Sequence, residues 1–149
     1  AEGPTNSLHP VEKAALRDAI SDPAGSPRFL AALLALAAEE KASEAAFTDY
    51  VASLAALETR GKTRPLRWTL ATVLPAIARP DLHFFVKPDS TRLCALRLPI
   101  DLMYAPEPRW LTYRRMLEMG AQLLEALRPH GARDLADVQS FAWVTREEP

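Results

Sequence analysis

What this chain lacks narrows its chemistry more than what it holds. One cysteine, Cys94, leaves no partner for an intramolecular disulfide; this suits a reducing compartment and predicts a cytoplasmic location. The three histidines, His9, His83 and His130, stand far apart, with no cysteine or carboxylate at ligand spacing around them. A zinc site takes about four N, S or O ligands, so no metal is expected, and no other cofactor. The five glycines, Gly3, Gly25, Gly61, Gly120 and Gly131, are scattered. Gly61-Lys62-Thr63 is similar to the end of a P-loop, but Ala56 stands where the first glycine of that loop belongs, so this mode of nucleotide binding is excluded. No Gly-x-Ser-x-Gly elbow is present. The longest apolar run stops at Ala38 against Glu39-Glu40, about half a membrane span, and no membrane contact is expected. No basic segment followed by an apolar core opens the chain, so no signal peptide is expected. The first residue is Ala1, and the chain is expected to be processed or to be a C-terminal part of a longer protein.

What is present is a globular composition with lopsided charge. Apolar residues make up 48% and charged residues 25%, a balance that buries a core rather than staying disordered. The length of 149 residues suits one domain. The net charge is −1, yet residues 1–58 carry −5 and residues 59–149 carry +4. The asymmetry peaks between Arg60 and Arg115, where eleven Lys or Arg face four acids, a net of +7. Such a segment points to an anionic partner.

Periodicity and caps predict helices throughout. Residues 1–9 read as a flexible arm, 10–144 as one helical domain with an acidic half (10–59) and a basic half (60–144), and 145–149 as a tail. Pro10 suits a first helical position, with Val11, Ala14, Ala15, Leu16 and Ile20 as the apolar stripe. Ser26-Pro27 predicts a second helix capped by Ser26, apolar nearly all round and therefore central. Ser43 is expected to cap a third helix that pairs with the second as a hairpin. A loop over Arg60–Pro65 leads to a fourth helix from Leu66 to about Ala78, kinked at Pro75. Residues 82–86 and 100–104 are apolar and too short to build a sheet unaided. Pro88-Asp89-Ser90 opens a short helix, and Pro106 and Pro108 stiffen the approach to a long one, Arg109–Leu127, lined by Leu111, Met116, Met119, Leu123, Leu124 and Leu127. Asp134 is expected to cap a last helix carrying Leu135, Val138, Phe141 and Ala142, with Trp143 and Val144 closing the packed part. The expected fold is mainly α: a single compact bundle of about six to seven helices with a proline-rich irregular middle and at most a short two-stranded ribbon.

No residue is assigned a catalytic role. Cys94 lies between Leu93 and Ala95, the setting of a small core residue. The acids Asp81, Asp89, Asp101, Glu107, Asp134 and Asp137 fit turn and cap roles. The binding candidates are the cations Arg60, Lys62, Arg64 and Arg67 in one cluster, Arg109, Arg114 and Arg115 in another, and Lys87 between them. Trp110 and Tyr113 interleave the second cluster; they either stack on bases or belong to the core.

The succession Arg67-Trp68-Thr69-Leu70, His83-Phe84-Phe85-Val86-Lys87-Pro88, Pro108-Arg109-Trp110-Leu111-Thr112-Tyr113 and Arg133-Asp134-Leu135-Ala136-Asp137-Val138-Gln139-Ser140-Phe141-Ala142-Trp143-Val144 resembles an uncharacterised family of bacterial proteins ending in the same kind of block. More loosely, it resembles helical domains flanking restriction-type and defence-type ATPases and nucleases. That resemblance implies a C-terminal part of a DNA-related or defence-related protein. With the basic middle, the expectation is a non-catalytic helical binding module contacting nucleic acid or an acidic protein surface. One alternative is a protein–protein or regulatory domain docking through Phe84, Phe85, Met103 and Tyr104, with another protein or the missing N-terminal portion as partner. Another is an enzyme centred on His83 with Lys87.

Overall fold

The computed structural model describes residues 8–57 and 66–147. Seven α-helices appear among them: α1 (Pro10–Ile20), α2 (Ser26–Ala37), α3 (Glu44–Ala55), α4 (Trp68–Ala78), α5 (Pro88–Arg97), α6 (Trp110–Leu127) and α7 (Leu135–Val144). No strand occurs among the described residues. The bundle is mainly helical, as composition and periodicity predict.

The helices start where local chemistry directs. Ser43 Oγ accepts from the Ala46 amide, and Asp134 accepts from Ala136 and Asp137. At α2 the expected cap is displaced by one residue: Gly25 takes the capping position and Ser26 is already helical, without a side-chain cap. The long helix ends at Leu127, as its expected bounds have it, just before Pro129 and Gly131. Gly131 adopts φ +95°, its amide donates to the Arg128 carbonyl and Ala132 donates to Leu127. This left-handed closure suits a residue without Cβ.

α2 and α3 pack on each other, and α6 packs on α3 and α7. The main core gathers Phe29, Leu36, Phe47, Tyr50, Trp68, Phe84, Tyr113 and Met116. Gly120 lets α6 approach closely, since a Cβ there would meet Leu135 Cδ2 at 3.1 Å. A smaller cluster of Leu8, Ala15, Leu70 and Val73 seats α1 against α4, and the Thr69 hydroxyl donates to the Glu12 carboxylate across it. Leu8, expected in the arm, is therefore part of the fold.

Several expected core positions face outward. α2 buries only Phe29, Ala32 and Leu36, while Leu30 and Leu34 are exposed on the other side. Leu111, Phe141 and Val144 are exposed as well, as are Val11 and Ile20 at the two ends of α1. An amphipathic helix buries one stripe, and apolar residues outside it stay in solvent.

The irregular middle is held by side chains instead of a ladder. Thr72 Oγ1 accepts from the Val86 amide at 2.9 Å and donates to the Trp68 carbonyl at 2.7 Å. The Tyr113 hydroxyl accepts from the Phe84 amide at 3.2 Å. Residues 100–104 are tied similarly, with Ile100 donating to Ala95 and Thr112 donating to the Met103 carbonyl. These partners satisfy buried backbone groups that a ribbon would otherwise have to satisfy.

Candidate anion-binding site

Arg60, Lys62 and Arg64 lie outside the described residues. The other five candidates fall into three settings.

Arg67, Lys87 and Arg109 occupy one structural position three times over. Each is the capping residue of the helix that follows it, in extended conformation and with no side-chain cap. α4 and α6 carry no acid in their first turn; α5 carries Asp89. A helix start has unpaired amides and the positive end of the dipole, so an acidic or hydroxyl residue is favoured there. The basic half places cations there instead. Arg67 and Arg109 are exposed, and no acid among the described residues forms a salt bridge with either. The start of α4 is joined to the segment that precedes α6 through Trp68, whose Nε1–H donates to the Ala105 carbonyl at 2.8 Å.

Arg114 and Arg115 are engaged locally. Arg114 Nε lies 3.5 Å from Glu118, and Arg115 Nη1 lies 3.2 Å from the same carboxylate. The spacings of four and three residues that produce these pairs are visible in the sequence. The single Glu118 carboxylate answers at most one of the two charges these arginines contribute to the +7 segment.

Lys87 faces the other way, towards the end of the chain. Its Nζ sits 4.0 Å from the centre of the Trp143 ring, and the Arg146 guanidinium sits 3.2 Å from it. Burial pushes the Lys87 ammonium below its ordinary range; Arg146 adds to the effect and Glu12 opposes it. Residues Thr145–Glu147, expected as tail, form a 3-10 turn, fastened by Arg97 donating to the Thr145 carbonyl. Sequence reasoning gives Trp143 and Arg146 no binding role. Their three-residue spacing is the available signal, but the partner Lys87 is distant in the chain.

The remaining basic residues of the segment are structural. Arg79 donates to the carbonyls of Ala37 and Glu39, both at 2.8 Å, and pairs with Asp81 at 2.7 Å, tying the end of α4 to the end of α2. Arg92 lies 4.9 Å from the Tyr104 ring centre.

The base-stacking role of Tyr113 is overturned, because its side chain has no exposure. Its ring stacks on Phe47 at 4.3 Å, and Trp110 is half-buried at 5.9 Å from Phe47. Phe84 is also core, so the expected docking set of Phe84, Phe85, Met103 and Tyr104 does not form one surface; Met103 alone of the four is well exposed.

His83 lies in the core as well, with Nδ1 at 3.2 Å from the Tyr113 hydroxyl. Burial holds its pKa below the ordinary value, against the pull of the Glu39 carboxylate; Arg79 lowers it further and Asp81 raises it. Cys94 is buried, which pushes its thiol pKa up and away from nucleophilic use. Among the described residues, no group of three or more His, Cys, Asp or Glu is placed to hold a metal ion, and no helix is long and apolar enough to cross a membrane.

The buried imidazole has a measurable consequence. An unfolded histidine titrates near about pH 6.5, and His83 in the fold titrates lower. Stability from this group is complete above that unfolded value and falls as the pH drops through it towards the folded value. Urea midpoints at about pH 7.5 and about pH 5 should show the loss, and His83→Phe should flatten the part of the profile that lies just below the unfolded value.

No protein-family model, curated protein or solved structure matches the chain.

Proposed function

We propose that this chain is a non-catalytic helical binding module that contacts nucleic acid through the basic starts of α4 and α6. The observation that supports the reading is the placement of Arg67 and Arg109, both exposed, at helix starts that lack a side-chain cap and an acid in the first turn. In isolation each placement opposes the helix dipole and leaves amide donors to solvent. A phosphate answers both deficits, accepting from the amides and neutralising the cation. Two or more such starts on one domain suit a partner that carries phosphates at regular intervals. Arg60, Lys62 and Arg64, immediately before Arg67 in the chain, extend the basic set.

Anisotropy with labelled single-stranded and duplex oligonucleotides tests the reading. Affinity should fall steeply between about 50 mM and about 200 mM salt. Arg67→Glu combined with Arg109→Glu should weaken binding about tenfold or more and reduce the salt slope by about one for each phosphate no longer neutralised, with the helical circular dichroism unchanged. Binding that is undetectable at low salt, or indifferent to salt, would overturn it. Equal competition by polyglutamate would move the reading to an acidic protein surface.

A further inference from the structure

We propose that α1, with Leu8 ahead of it, is a strap that lifts from α4 while the rest of the bundle stays folded, alternately hiding and uncovering an apolar stripe on α4. Among the described residues, none of α1 belongs to the main core. α1 is seated instead by the smaller cluster, where Leu8 and Ala15 meet Leu70 and Val73, with Leu16, Leu74 and Phe85 packed at its edge. Val11 and Ile20, at the two ends of α1, are exposed. An isolated helix shorter than about 12–15 residues is marginal in water. α1 has 11 residues, so it depends on its seat to stay helical. The seat is small, and elements with few buried apolar contacts open before the whole fold does.

The polar tie is Glu12. One oxygen of its carboxylate accepts from the Thr69 hydroxyl on α4, and the other accepts from the His9 amide at 2.8 Å. One side chain thus closes the start of α1 and fastens it to α4. At the other end, the Ser21 hydroxyl donates back to the Arg17 carbonyl at 2.8 Å. The Asp22 carbonyl accepts from the Ser26 amide at 3.0 Å, in the turn that leads into α2. The hinge therefore falls between Ser21 and Asp22. Beneath the strap, Leu70, Val73 and Ile77 recur at spacings of three and four, on one face of α4. Leu70 and Val73 are buried in the cluster with α1, whereas Ile77 is exposed. Lifting α1 joins the three into one continuous apolar stripe.

Hydrogen exchange of the intact chain, followed amide by amide by NMR, is the test. The amides of residues 14–20 should be protected, but about a hundredfold or more less than those of residues 116–124 in α6. Their exchange should respond weakly to urea, because little surface is uncovered. Thr69→Val removes the donor to Glu12 from the α4 side; it should lower protection in α1 about tenfold and leave α6 unchanged. Leu8→Ala should act in the same direction. Three results would overturn the strap: α1 amides as protected as those of α6, α1 amides exchanging as in an unfolded chain, or an equal loss of protection in α1 and α6 on Thr69→Val. The parent protein alone yields the first two, so a variant that fails to fold does not remove the test. No oligonucleotide enters the measurement, and its outcome is independent of the nucleic-acid reading.

Discussion

Tyr113→Ala should destabilise the domain by about 3–5 kcal/mol, the cost of truncating a buried aromatic side chain, read as a lowered urea midpoint. For a domain whose total stability is about 5–15 kcal/mol, that change brings the protein close to unfolding at moderate temperature. Tyr113 has no exposure and stands at the centre of an aromatic group. Its ring stacks on Phe47 at 4.3 Å and lies 6.2 Å from Trp68 and 6.1 Å from His83. Its hydroxyl accepts from the Phe84 amide and sits 3.2 Å from His83 Nδ1. Burial raises the phenol pKa well above its usual range, so the hydroxyl stays protonated. Tyr113→Phe separates the two contributions. It keeps the ring packing and leaves the Phe84 amide without its acceptor, and should cost about 1–3 kcal/mol. A conservative change as costly as the alanine would show that the hydroxyl network, not the ring, dominates.

Trp68→Ala should have an effect of similar size, about 3–5 kcal/mol, for a different structural reason. Trp68 opens α4, is 2% exposed, and its indole donates to the Ala105 carbonyl. Its loss removes core volume and also releases the residues leading into α6. Trp68→Phe restores most of the apolar surface without the donor, leaving Ala105 unpaired, and should recover part of the stability. Because the indole ties the start of α4 to the segment that leads into α6, Trp68→Phe should also weaken oligonucleotide binding without removing any charge. Unchanged affinity in that folded variant would mean that Arg67 and Arg109 act independently of this link.

Helix existence is legible from sequence because punctuation here is local. Pro10, Ser43, Pro88, Asp134 and the Pro129–Gly131 pair each act on the residues beside them, and α1, α3, α5, α6 and α7 begin or end accordingly. The start of α4 falls at Trp68 instead of Leu66, because Arg67 takes the extended capping conformation. Which side of a helix is buried is harder to see. The α2 run is apolar nearly all round, so nothing in the residues themselves distinguishes buried Leu36 from exposed Leu34; the choice is made by α3 and α4 packing on one side. The binding candidates divide in the same way. Pairing of Arg114 and Arg115 with Glu118 is readable from helical spacing. The meeting of Lys87 with Trp143 and Arg146 is not, because it depends on α5 lying against the end of α7.

The way residues 83–87 are fastened also bears on how the protein behaves in a crowd. An apolar extended segment is ordinarily a hazard, since its open edge is a template for pairing with another chain. Here the Phe84 and Val86 amides are turned inward and already taken by Tyr113 and Thr72, and the Phe84 and Val86 side chains are buried. The segment therefore offers a neighbouring molecule no continuous row of donors. The two hydroxyls that shape the core also guard the chain against aggregation.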